Sequence, residues 1–332
     1  MRNCWTFLLV VASCVISFAG TAVAAEPDKP IRVGIIGLDT SHVIAFTNLL
    51  NKPGATGDVA DVQVVAGFPA GTDIPASADR VEKFTQQLRE KGVEIVGSID
   101  ELLPKVDAVM IESVDGRPHL EQARPVFAAG KPMFIDKPFA GSLADAIEIV
   151  ELSKKTGVPF FSCSSSRFSP DFQAIRKGEA GFGEIKRVTA HGPMSIEPHH
   201  PDLYWYGIHG CEVLYTIMGP GCKTVTREGP QKVVGVWADG RVGIFEGGGS
   251  IGAEVEGTEK SGSAGKYAGY GPLVEEIARF FKTGKPPIDA AETLELMAYM
   301  EAADESKRRG GEEVTIEEVM EKARKVVAER QK

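Results

Sequence analysis

A chain of 332 residues is too long for one compact core and predicts two domains. Hydrophobic residues make up 43% and charged residues 25%, the ordinary balance of a soluble globular protein. A formal net charge of −9 argues against a nucleic-acid partner, because phosphate binding needs a basic face.

The first 24 residues read as a leader outside the fold. Arg2 is their only charge, an apolar run from Cys4 to Ala19 follows, and Ala22-Val23-Ala24 forms a small-x-small cleavage pattern. The run is short of the ~20 residues of a spanning helix. Export to the periplasm or exterior is therefore expected, without a stable membrane span after cleavage. Val11-Ala12-Ser13-Cys14 also resembles a lipobox, and an uncleaved anchor is the remaining alternative. There is no twin arginine, so the chain is expected to cross unfolded. Cleavage leaves Cys163, Cys211 and Cys222, an odd count with no disulfide framework; one bridge, Cys211 to Cys222, competes with simple buried thiols.

From Ile31 to Gly37 a continuous apolar run ends in glycine, the pattern of a buried parallel strand. A helix is predicted over 43–50, a strand over 62–68, a helix over 81–91 and a short strand over 94–97. A short helix at 99–103, a strand at 108–112 and a helix at 120–129 follow. Then come a strand at 133–136, a helix at 143–156 and a strand at 159–163. Gly130 and Gly157 stand where helices need C-terminal caps. Strands alternating with helices across short connections predict a doubly wound parallel sheet for residues 30–164. Beyond residue 165 strands follow one another (185–191, 233–237, 241–246), with a hairpin signal at Ala238-Asp239-Gly240. Residues 165–332 therefore read as an α+β domain with a largely antiparallel sheet. The glycine- and serine-rich stretch 247–271 is expected to be a mobile loop. Helices are predicted over 272–283, 290–309 and 316–328, and these terminal helices are candidates to pack back on the first domain.

The first strand-to-helix turn is where a Rossmann-like sheet binds a dinucleotide, through G-x-G-x-x-G. Here it reads Gly37-Leu38-Asp39-Thr40-Ser41-His42, so only the first glycine stands. A carboxylate at the second position is expected to lie near the diphosphate and repel it; a charge pair ~5 Å apart is worth a few kcal/mol at an effective dielectric of ~20. Asp39 also suits a helix N-cap. The acid expected at the tip of the second strand is replaced by Gly67-Phe68-Pro69, and Asp73 comes too late. Gly37, Asp39, Thr40, Ser41 and His42, with Ser113 and His119 beyond a later strand, are the candidate cofactor contacts.

Ala129-Gly130-Lys131-Pro132 leading into Asp136-Lys137-Pro138 resembles the A-G-K…E-K-P segment of the Gfo/Idh/MocA oxidoreductases. Pro118-His119 falls where that family carries a T-P-x-x-x-H-type loop. Gly207-Ile208-His209-Gly210-Cys211-Glu212, followed by Ile217-Met218-Gly219, resembles its G-x-H-x-x-D helix. Residues 275–280 and Thr283-Gly284-Lys285-Pro286-Pro287 resemble its closing helices. The likeness spans the mature chain. It implies a sugar site lined by Lys137 and His209, with NAD or NADP as hydride acceptor. A histidine suits proton transfer from a sugar hydroxyl, and a lysine suits orienting that hydroxyl and stabilising negative charge. Trp205 stands where the family has an aspartate, and Glu212 replaces another.

Four of the six histidines (His191, His199, His200 and His209) fall within residues 191–209, among Glu197, Asp202, Tyr204, Trp205 and Tyr206. Aromatics with polar tips suit stacking on sugar rings, so His191, His199, Tyr206 and Glu212 are candidate substrate contacts. His209 and Glu212 share a helix face, but no metal-ligand motif of the usual spacing appears, and no metal is assigned. The reading is an NAD(P)-dependent oxidoreductase acting on a sugar-like CH–OH group. The competing reading is a cofactor-free carbohydrate-binding protein on the same scaffold. A homo-oligomer is compatible with either.

Overall fold

Strand β1 (Ile31–Ile36) is apolar but for Arg32 near its start, and Val33, Ile35 and Ile36 are wholly buried, because both faces of its sheet are covered. The computed structural model describes Met1 and residues 29–332; the leader, with its cleavage and lipobox patterns, lies outside the described residues. After β1 come α1 (Ser41–Leu50), β2 (Val62–Phe68), α2 (Pro75–Ala78), α3 (Arg80–Glu90), β3 (Glu94–Ile95), α4 (Ile99–Leu102) and β4 (Ala108–Ile111). Then follow α5 (His119–Ala128), β5 (Met133–Ile135), α6 (Leu143–Thr156) and β6 (Phe160–Ser162). The six strands pair in parallel in the order β3-β2-β1-β4-β5-β6, the doubly wound order whose strand direction of travel reverses beside β1. Local chemistry fixes the ends of the elements. Thr40 caps α1 by accepting from the His42 N–H at 3.0 Å, and Ser142 caps α6 by accepting from Asp145. Gly157, at φ 72°, closes α6 in the left-handed conformation.

The second layer holds α7 (Pro170–Arg176), β7 (Ile185–Gly192), α8 (Ile208–Met218), β8 (Cys222–Arg227), β9 (Lys232–Trp237), β10 (Val242–Gly257) and β11 (Ser261–Ala264). It continues through α9 (Gly271–Thr283), α10 (Ala290–Arg308), β12 (Val314–Thr315) and α11 (Ile316–Arg330). Its strands run β11-β10-β9-β8-β12, and β7 is held against β10. The stretch expected to be a loop is instead the second half of β10 with β11. Three of its glycines, Gly247, Gly257 and Gly265, serve close packing: a Cβ at Gly247 would lie 2.6 Å from the Met194 sulfur. Both halves of β10 flank β7, so that Ala190 faces Phe245 in one half and Ala253 in the other. The strand at 222–227 carries no apolar alternation clear enough to mark it in the sequence.

The layers share one core. A continuous apolar cluster joins Ile111, Ile135 and Phe160 of the first sheet to Phe245 and Trp237 of the second and to Tyr299 of α10. On the opposite face of the first sheet, Leu273, Ile277 and Phe280 of α9 pack with Val33, Ile35 and Phe46. The chain thus returns to its first domain, and residue 165 marks a change of pattern rather than a cut through the core. Cys163, Cys211 and Cys222 are all buried free thiols. Among the described residues no helix is long and apolar enough to cross a membrane.

Candidate functional site

At the carboxyl ends of β1, β4 and β5 a cleft of about 440 Å³ opens between the two layers. Such sheets bind ligands there, where the strand order reverses. Thr40, Ser41 and His42 line it from the first turn and Lys137 from the end of β5. Trp205 and Tyr206 line it from the segment entering α8, His209 from the first turn of α8, and Tyr270 and Tyr267 from the approach to α9.

The first turn keeps part of its phosphate-binding construction. Gly37 sits at φ +86°, and a Cβ there would fall 2.4 Å from the Ser113 backbone nitrogen, so no larger residue fits. Ser113 packs under that turn, exchanging hydrogen bonds with Gln122. Asp39 does not face the cleft as expected. Its side chain turns inward, is 1% exposed, and accepts from the Val114 N–H at 2.9 Å. Burial raises its carboxyl to about 6, against the pull of that hydrogen bond and of Lys137. The surface of the turn offered to a diphosphate is therefore Thr40 and Ser41, with no carboxylate. The second-strand tip lacks a ribose acid: Pro69 and Ala70 (φ 56°) occupy it, and Asp73 pairs with Arg117. The turn fits a diphosphate without the usual acidic ribose partner.

His42 is buried and held on three sides. Its Nδ1 lies 2.6 Å from Asp136 Oδ2, its ring stacks on Phe46 at 5.1 Å, and Tyr270 meets it edge-on at 4.9 Å. Burial works to raise the Asp136 carboxyl, but the charge and hydrogen bond of His42, with Lys137, hold it below its usual value. Beneath lies Glu112, fully buried, with neither carboxylate oxygen hydrogen-bonded; burial, with Asp136 and Asp39 nearby, pushes it well above its usual value. Lys137 is half-buried and, among the described residues, has no side-chain hydrogen bond or ion pair, leaving its ammonium for a ligand.

His209 faces the cleft from α8. Its Nδ1 lies 2.6 Å from the Ser164 hydroxyl. Burial, then the positive charge of Lys137, lower it to about 3, so the ring is neutral at ordinary pH. Five residues ahead of α8, Leu203–Gly207, form a turn of π-helix. That wider turn brings Trp205 and Tyr206 to the cleft wall, a use often made of such bulges.

The remaining predicted residues lie elsewhere. Glu212 points away from the cleft into an ion pair with Arg167, and it accepts from the Ser164 N–H at 3.2 Å. It therefore supports the partner of His209 without reaching a substrate. His119 is fully buried, its ring nitrogens 2.9 Å from the Ser113 carbonyl and 3.2 Å from that of Phe139. It ties two loops together behind the site. His199 is engaged by Glu197 at 2.7 Å, and His191, on β7, lies 3.9 Å from Glu246; neither lines the cleft. His200, unassigned in sequence, bridges Glu197 (3.0 Å) and Asp115 (3.1 Å) and so latches the second layer onto the loop after β4. Among the described residues no group of three or more His, Cys, Asp or Glu side chains converges to hold a metal.

Sequence reasoning missed the Ser164-Ser165-Ser166 segment. Ser164 holds His209, Ser165 bonds the Tyr267 hydroxyl at 2.9 Å, and Ser166 donates to the His209 carbonyl at 3.1 Å. Its available signal was position, directly after the last parallel strand. Arg80, also missed, lines the cleft and has no ion pair among the described residues.

Residues 31–163 match the Gfo/Idh/MocA family model, described as an oxidoreductase family with an NAD-binding Rossmann fold. An uncharacterized oxidoreductase of Escherichia coli, YhhX, is 28% identical over 138 residues, 38% of this chain and 40% of that protein. An inositol 2-dehydrogenase of Cereibacter sphaeroides is 31% identical over 173 residues, 51% of this chain and 45% of that protein. The match thus spans less than half of either relative. A putative NADPH-dependent oxidoreductase of Desulfitobacterium hafniense superposes with a TM-score of 0.71 at 19% identity, over 88% of this chain and 99% of that one, which shows a shared fold.

Proposed function

We propose, from the match of residues 31–163 to the Gfo/Idh/MocA oxidoreductase family model, that the chain oxidises or reduces a CH–OH group of a polyol or sugar-like substrate with NAD or NADP. The observation that carries this reading is the unpartnered Lys137 facing His209 in the cleft that adjoins the first turn. Gly37, Thr40, Ser41 and the Ser113 segment would hold the diphosphate, and Arg80 would add positive charge. When bound, the nicotinamide supplies the hydride-accepting chemistry.

The chain's own residues supply the rest. Lys137 orients the reacting oxygen and stabilises negative charge as it develops there. His209, neutral and fixed by Ser164, offers Nε2 to a neighbouring hydroxyl. Trp205, Tyr206, Tyr267 and Tyr270 give a wall of rings with polar tips, suited to a polyhydroxylated ring. The inositol dehydrogenases among the relatives support this class, and the apolar leader supports export of the mature protein.

Calorimetry against NAD and NADP, with mass analysis of nucleotide released on denaturation, tests the reading. Micromolar binding or copurified nucleotide upholds it. No binding of either sinks it and favours a cofactor-free carbohydrate-binding protein. The observation on the side of that second reading is the second-strand tip, where no acid awaits a ribose.

A further inference from the structure

His42 occupies the turn position at which a dinucleotide fold asks for a small residue, yet its ring is fixed in place. The Asp136 carboxylate, 1% exposed, accepts a hydrogen bond from His42 Nδ1 at 2.6 Å. Phe46 lies parallel to the ring within 7°, and Tyr270 closes its edge. With Nδ1 protonated, Nε2 carries the lone pair, and His42 lines the same cleft as Lys137 and His209. A buried carboxylate behind a histidine sets its tautomer and balances the imidazolium that forms when the ring accepts a proton.

Resting on the oxidoreductase reading, we propose that His42, positioned by Asp136, is the group that exchanges a proton with the substrate hydroxyl, and that His209 positions the substrate beside it. In the oxidation direction the substrate O–H bond breaks and its proton passes to His42 Nε2. The carbon-bound hydrogen leaves with its electron pair to the oxidised nicotinamide, and a carbonyl remains. Reduction reverses each transfer. His209 lacks the carboxylate that His42 has: its Nδ1 meets only a serine hydroxyl, and its ring is held neutral by burial and nearby positive charge. A weakly basic ring makes a poor proton acceptor near neutral pH and an adequate hydrogen-bond partner.

Ring-nitrogen NMR on the full chain with labelled histidine, wild type against Asp136→Asn, reads the tautomer without any turnover. We expect the His42 proton on Nδ1 in the wild type and redistribution to Nε2 in the variant. Steady-state rates with myo-inositol and NAD or NADP read the role. His42→Ala should lower kcat by at least ~100-fold with KM little changed, and added imidazole should restore part of it. His209→Gln should act mainly on KM. A wild-type ring protonated on Nε2 overturns the proposal. So does a folded His42→Ala that keeps its kcat or gains nothing from imidazole. If the wild type turns over no polyol and binds no nucleotide, the oxidoreductase reading fails by itself, and the tautomer still decides whether the His42–Asp136 pair is set for proton exchange.

Discussion

Charge is buried on two sides of the cleft, and the two sides are built oppositely. Beneath α8, Arg167 joins Glu212 and, at 2.7 Å, Glu292, which Arg176 also grips through both oxygens. The Glu212 and Glu292 carboxylates hold the Arg167 guanidinium charged against the pull of burial. At the ends of β1, β4 and β5, by contrast, Asp39, Glu112 and Asp136 crowd together with a histidine and a lysine. Both oxygens of Glu112 and one each of Asp39 and Asp136 have no hydrogen-bond partner. Buried polar groups left unmatched cost stability, and they are retained where a site uses them. The paired side therefore reads as framework and the unmatched side as chemistry.

The largest effect should come from breaking the framework. Arg167→Met leaves the buried Glu212 carboxylate uncompensated and takes from Glu292 one of its two arginines, and should cost about 3–5 kcal/mol in chemical denaturation. A loss under about 1 kcal/mol would erase the distinction between the sides. Lys137→Ala should leave the denaturation midpoint in place and lower polyol kcat/KM by about 10²–10³-fold, or about 3–4 kcal/mol of transition-state binding. An unfolding shift without a rate loss would move Lys137 to the framework.

Asp39 gives a smaller effect whose sign depends on pH. Its folded value of about 6 lies above its ordinary 3.8, so between these the folded state holds the proton more firmly. That stability is present at pH 4 and lost as the pH climbs through 6. Asp39→Asn should therefore raise stability at pH 8 by about 2–3 kcal/mol at most and leave it nearly unchanged at pH 4. An equal shift at both pH values would refute the titration account. Glu112→Gln should be smallest, below about 0.5 kcal/mol at pH 4, where the unfolded carboxyl is also largely neutral and burial favours the neutral form in the folded state. The carboxylic-acid carbonyl band of the wild type should vanish in its infrared spectrum.

The parallel half was legible because continuous apolar runs, cap residues and C-terminal glycines agree at each element. The second sheet was less so. The glycines of 247–257 look like a loop by composition, and only their contact with Met194 and β7 reveals a strand. The ends of parallel strands and a helix motif mark Lys137, His209 and Tyr206, and all three line the cleft. Glu212 misled, since helical spacing puts it near His209 but says nothing of Arg167, which meets it from far along the chain. The inward turn of Asp39 depends on the Val114 N–H, a backbone group with no sequence signature.

The return of α9 to the first sheet also orders events during synthesis. Leu273, Ile277 and Phe280 cover the face formed by Val33, Ile35 and Phe46. A nascent chain that has already made all six parallel strands still has that face bare until nearly its last segments emerge. A fragment stopped after β6 should accordingly be sticky and chaperone-dependent, and the natural place to split this protein into two cooperating pieces lies just before α9, not at the apparent domain border.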